Sequence, residues 1–100
     1  MGFKIDKEIN DSGVIAGHWE LNEIHALSFE RKLAVCTYVG YVSRAAYQQG
    51  KSPIDGAYIQ LQFVGDSFDD VINSGLQQSI TTALNNGAKG TPEFQGAIEQ

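Results

Sequence analysis

The chain has little with which to do chemistry. It holds one cysteine, Cys36, which excludes an intrachain disulfide and a cysteine-based zinc cage. Basic residues are sparse: seven Lys and Arg stand against twelve Asp and Glu in 100 residues, a net charge of −5. The first fifty residues carry five basic and six acidic groups, and the last fifty carry two and six. Arg31-Lys32 is the one adjacent basic pair. Nucleic-acid binding rests on phosphate neutralisation by clustered Lys and Arg, and a polybasic membrane patch needs the same clusters. Neither nucleic acid nor membrane is therefore expected as a partner. There is no run of about 18 apolar residues, so no transmembrane helix is expected. The opening Met1-Gly2-Phe3-Lys4-Ile5-Asp6 lacks the apolar segment of a Sec-type signal peptide.

The spacings that catalysis or metal binding require are also missing. His18 and His25 are seven apart, which puts them on opposite sides of a strand unless a bulge intervenes. Neither an HxH nor an HExxH spacing occurs. Cys36 lies inside the most strand-like run of the chain and reads as a core thiol, because reactive thiols sit in accessible, electropositive surroundings. Asp66, Asp69 and Asp70 lack the alternating ligands and terminal Glu of a calcium loop; helix capping accounts for them better. Gly50-Lys51-Ser52 echoes the end of a P-loop, but Ala45 stands where the upstream glycine belongs, and the expected helix comes before the glycine. No catalytic residue, metal ligand or cofactor is assigned, and an enzyme would need a site assembled from residues distant in sequence.

What is present is a foldable chain. Hydrophobic residues make up 42%, an ordinary globular share. One domain over residues 1–100 is expected, with an extended amino-terminal arm at 1–12. Within that arm Phe3 and Ile5 alternate with polar residues over 2–9, which suggests a short strand or an extended segment, and Asn10-Asp11-Ser12-Gly13 is turn chemistry. Val14 to His25 reads as a strand. Trp19 and Leu21 share a parity that Ile24 breaks, which places a bulge near Asn22-Glu23 or leaves both faces partly covered. Ala26 to Lys32 suits a hairpin loop. Leu33 to Val42 is rich in Val, Thr and Tyr and apolar on both parities, so it is expected to be central and covered on both sides. Ser43 can cap one or two helical turns that end at Gly50, ahead of Pro53.

Ala57 to Val64 alternates cleanly, with Ile59, Leu61 and Phe63 inward and Tyr58, Gln60 and Gln62 outward. A helix over 67–84 follows, its stripe made by Phe68, Val71, Ile72, Leu76, Ile80, Ala83 and Leu84. Asn85-Asn86-Gly87 is read as its end, and Thr91-Pro92 as the start of a short carboxy-terminal helix carrying Phe94, which is four residues from Ile98 so that both can dock on the core. The expected fold is α+β: an antiparallel sheet of three to four strands, one main helix packed on one face, and a short C-terminal helix.

A domain of this size cannot bury all of its aromatic rings. Tyr and Trp are enriched at partner surfaces, so some of Trp19, Tyr38, Tyr41, Tyr47 and Tyr58 are expected to face a partner, against the alternative of simple core and rim packing. Phe3 and Ile5 of the arm and Phe94 near the carboxy-terminal end are apolar groups better buried against another copy than left wet. Phe3, Ile5, Trp19, Tyr41, Tyr58 and Phe94 are the candidate interaction residues. A homo-oligomer built through a sheet edge and the amino-terminal arm is expected.

The order of short motifs also carries a resemblance. Lys4-Ile5-Asp6-Lys7-Glu8-Ile9 leads to Ser12-Gly13-Val14 and to His18-Trp19-Glu20-Leu21. Gly40-Tyr41-Val42 leads to Ala45-Ala46-Tyr47-Gln48-Gln49-Gly50-Lys51-Ser52-Pro53, and Thr91-Pro92-Glu93-Phe94-Gln95-Gly96-Ala97 closes the chain. This resembles small proteins encoded among the tail and virion genes of tailed bacteriophages and prophages. The resemblance implies a structural or assembly role in the tail, connector or baseplate region, with other virion proteins as partners. It places the chain in the virion, or in the bacterial host cytoplasm before assembly. The rival expectation is a small cytoplasmic protein-binding adaptor module of phage or host origin.

Overall fold

Leu33 to Tyr41 forms a strand, as its β-branched and aromatic content favours. The other strands assemble around it. The computed structural model describes residues 2–75 and 79–99. In chain order these give β1 (Phe3–Glu8), β2 (Ile15–Ser28), β3 (Leu33–Tyr41), a one-turn helix α1 (Arg44–Gln48), β4 (Tyr58–Val64), α2 (Asp66–Gly75), α3 (Ile80–Lys89), a 3-10 turn (Pro92–Phe94) and β5 (Ile98–Glu99). All strand pairs are antiparallel, in the order β4-β3-β2-β1-β5, and the sheet curls into a half-barrel.

The expected three to four strands with one main helix are thus replaced by a five-stranded sheet with two separate helices. The single helix expected over 67–84 is split because Ser79 starts a new one: its hydroxyl accepts from the Thr82 amide at 3.0 Å. Leu76, expected within the helical stripe, lies outside the described residues. Asn85-Asn86-Gly87 does not stop α3. Asn85 is buried, and its side-chain oxygen accepts from the Tyr38 hydroxyl at 2.6 Å. Gly87 sits where a Cβ would come within 2.5 Å of Val71, so its lack of a side chain lets α3 close on α2. The short carboxy-terminal helix is a single 3-10 turn followed by a two-residue strand.

Of the two readings of the amino-terminal segment, short strand or extended arm, Phe3 to Glu8 takes the strand and lies within the sheet. Phe3 to Glu8 pairs with β2 on one side and β5 on the other, and Phe3 is buried. A bulge between Lys4 and Lys7 interrupts the β1–β2 register. In the same segment the Ile5 carbonyl accepts the Trp19 indole N–H at 3.2 Å. The core lies on one face of the sheet, the inner face. Phe3, Trp19, Tyr38, Leu61 and Phe63 meet Phe68 and Val71 of α2, Ala83, Leu84 and Ala88 of α3, and Phe94. Phe94 is the hub of the aromatic cluster, with ring centroids 5.0 Å from Tyr38, 5.1 Å from Phe3 and 6.2 Å from Trp19. Gly40 permits the tight crossing beside it, because a Cβ there would lie 2.8 Å from that of Ala16 and 3.1 Å from Trp19.

Candidate functional site

Three places concentrate features that the core does not use. The first is a polar and aromatic cluster on the outer face. His18 and Glu20 are two apart on β2, so they share that face, and His18 Nε2 lies 2.9 Å from Glu20 Oε2. Both are buried. Ser43 accepts from the Ala46 amide at 3.1 Å and starts α1 so that Tyr47 folds back over the pair. The Tyr47 ring stands 5.3 Å from His18 and 5.0 Å from Tyr41. The Glu20 carboxylate, which opposes a second negative charge beside it, and partial burial together raise the Tyr47 phenol above its ordinary range. A Cβ on Gly2 would overlap the Glu20 carboxylate, so the chain start also presses on this cluster. Sequence spacing shows that His18 and Glu20 face the same way; it does not show that Tyr47 returns to cover them.

The second is a cleft of about 460 Å³ between β4, α2 and α3, lined by Gln62, Ser67, Asp70, Asn86 and Thr91. Among the described residues Asp70 is the one ionisable side chain on that lining. The other chemistry-bearing groups are held elsewhere. Cys36 is buried on the inner face, and burial pushes its thiol up to about 11, far from a thiolate at neutral pH. Asp69 pairs with Lys32 at 3.0 Å on the half-exposed surface. His25 bonds Thr37 at 2.6 Å. Bulges between Leu21 and Glu23 and between Ile24 and Ala26 bring it to that side of β2, away from the geometry of an unbulged strand. Among the described residues no group of three or more His, Cys, Asp or Glu is placed to hold a metal ion. No helix among them is long and apolar enough to cross a membrane.

The third is the free edge of β4. This strand reads Tyr-Ile-Gln-Leu-Gln-Phe-Val, has no charge and no proline, and pairs with β3 in one unbroken register from Val64 to Tyr58. Among the described residues it has no neighbour on its other side. Tyr58 is 67% exposed and Val64 52%. Other free edges of the same sheet are shielded. Beyond Trp19, β2 outruns β1, and that stretch carries two bulges and Glu23. At the far side β5 is only two residues long. Bulges, charges and short strands are the usual means by which an edge is kept from pairing with another chain. β4 has none of them.

The candidate interaction residues divide accordingly. Phe3, Trp19 and Phe94 are each 1% exposed and belong to the core, which removes them from any surface of this fold. Ile5 packs partly against that core. Tyr41 is half-buried beneath Tyr47. Tyr58 alone is prominent, and it opens the β4 edge. Val64, which is not among the candidates, closes the same edge at the end of the uncharged alternating run. Comparison of the chain with protein-family models, with curated proteins and with solved structures finds no match.

Proposed function

We infer that this chain is a non-enzymatic structural or assembly protein that acts by self-association. The observation that carries the reading is the unshielded β4 edge. An uncharged, regular, solvent-facing strand is a template for another strand, and here it stands beside sheet edges that are bulged or cut short. The buried groups support the same reading. The Cys36 thiol is held protonated, and His18 is engaged with Glu20 beneath Tyr47. Resemblance to small tail and virion proteins of tailed phages supplies the setting: a component of the tail, connector or baseplate region, found in the particle or in the host cytoplasm before assembly.

Sedimentation across micromolar concentrations tests the self-association. The expected result is a species heavier than the 10.9 kDa chain. A monomer at every concentration would refute self-association and favour an adaptor that lends the same edge to a strand of another protein. Tail and virion genes flanking the coding sequence are the expected genomic setting, and their absence would remove the phage assignment.

A further inference from the structure

We propose that β4 pairs antiparallel with β4 of a second copy of this chain, about a two-fold axis at Leu61, to join two five-stranded sheets into one. The proposal rests on the self-association reading and names its contact. The phase of the backbone hydrogen bonds comes first. Gly40 donates to the Ala57 carbonyl at 2.8 Å, and the Gly65 amide donates to the Lys32 carbonyl at 3.0 Å. Odd-numbered positions along this segment therefore direct their backbone groups toward β3, and with period two so do Ile59, Leu61 and Phe63. Gln60, Gln62 and Val64 direct theirs to the free edge. The Tyr58 amide is already taken by the Gly56 carbonyl at 3.1 Å.

The side chains then choose the register. A two-fold axis normal to the sheet keeps inner faces together only if residues of like parity lie opposite one another. Of those registers, the one centred on Leu61 is the one that pairs all seven residues of β4. It sets Gln60 opposite Gln62 of the second copy, where their backbone groups exchange hydrogen bonds. It also sets Tyr58 opposite Val64 on the outer face, an aromatic and β-branched pair of the kind that stabilises sheets. On the inner face Ile59 meets Phe63, and Leu61 meets itself. β4 carries no charge, so two chains of net charge −5 meet with no like charges opposed within the strand. The contact is self-complementary and uses up the β4 edge on both copies, which closes the assembly as a dimer at this edge.

The test uses the full chain. The wild type should sediment at twice the chain mass. Gln60→Lys with Gln62→Lys sets two pairs of like charges opposite each other across the axis and should weaken the dimer by about tenfold or more. Gln62→Pro removes one outward N–H while sparing the β3 ladder, and should act in the same direction. Circular dichroism checks that each variant is folded. Should either fail to fold, cysteines decide. Residues opposite one another in a hydrogen-bonded pair lie about 5.5 Å apart at Cα, within disulfide range. A mixture of Gln60→Cys and Gln62→Cys chains should therefore crosslink on oxidation far more than either alone. If the wild type assembles but folded lysine and proline variants assemble equally well, or the mixture crosslinks no better than its parts, the β4 contact is wrong and self-association stands. If the wild type stays monomeric at all concentrations, both fall.

Discussion

The two faces of the sheet are built from alternate residues of the same strands, yet they have different fates. On β3 the inner positions Ala34, Cys36 and Tyr38 are fully buried, while the outer positions Leu33, Val35, Thr37 and Val39 are only half-buried. Both sets are apolar enough to be covered. The inner face is closed because the helical elements after β4 return to it: α2, α3 and the 3-10 turn all add residues to that core. The outer face receives one helical turn, α1, which reaches only the His18 end. Which face is buried is thus decided by where later elements land. The inner face should hold the stability of the fold, and the outer face should tolerate change.

The hub of the inner face offers the sharpest break. Phe94→Ala removes a ring that touches Phe3, Trp19 and Tyr38, and should cost about 3–5 kcal/mol in urea unfolding. Ile98→Ala, four residues on and 64% exposed, should change stability by less than about 0.5 kcal/mol. Equal costs would mean that the carboxy-terminal segment is not the lid of the core.

Alkali should also strike the inner face first. Burial raises the Cys36 thiol from an ordinary 9.0 to about 11. The folded state holds this proton more tightly than the unfolded state does. Its contribution is complete below pH 9 and is lost as pH rises through about 11. The difference between these two values corresponds to about 3 kcal/mol at most. Burial likewise raises the Tyr38 phenol far above its usual range, so a further loss follows at higher pH. Chemical denaturation between pH 8 and 11 should show a steeper decline for the wild type than for Cys36→Ala. Parallel declines would contradict the burial of the thiol.

The hydroxyl of Tyr38 gives a smaller effect on the same face. Tyr38→Phe keeps the ring but removes the donor to Asn85, which is buried in α3. A cost of about 1–2 kcal/mol is expected. Changing Asn85 to Leu in that background should recover part of it, and the double-mutant cycle measures the coupling. Strict additivity would show that the 2.6 Å bond contributes nothing.

Much of this sheet is legible in the sequence because local rules govern it. The alternation of β4, the Ser43 cap, the Asn10-Asp11 turn and the break of parity after Leu21 each depend on near neighbours. The turn appears as positive φ at Asn10 and Asp11, and the parity break as two bulges. The errors arise where distant residues decide. β3 is expected to be covered on both faces because both are apolar, but no later element reaches most of the outer one. Asn85-Asn86-Gly87 looks like a helix stop until Tyr38, 47 positions earlier, supplies a buried partner. Trp19 looks like a surplus aromatic and Phe3 like part of an extended arm until the curl of the sheet gathers both around Phe94, whose docking on the core its spacing to Ile98 already allows. The β4 edge was half visible: its lack of charge is a sequence fact, but its position at the border of the sheet is a topological one.

The outer face should give the smallest effect. Tyr47 is 40% exposed on a five-residue helix, so solvent screens its interaction with Glu20. Tyr47→Phe should therefore change unfolding stability by less than about 0.5 kcal/mol. The interaction should nonetheless be visible by spectroscopy. The Glu20 carboxylate, together with partial burial, keeps the Tyr47 phenol protonated above its ordinary range. Whatever stability this gives is present below the unfolded tyrosine range and fades as pH rises through the folded one. Ultraviolet titration of tyrosinate should show a transition that moves to lower pH in Glu20→Gln and is absent in Tyr47→Phe, distinct from the Tyr38 phenol, which burial holds far higher. If Glu20→Gln leaves every tyrosine transition in place, α1 does not lie over the His18–Glu20 pair, and the outer face is bare along its whole length. If Tyr47→Phe instead costs as much as Tyr38→Phe, the outer face holds a second core, and the contrast between the two faces fails.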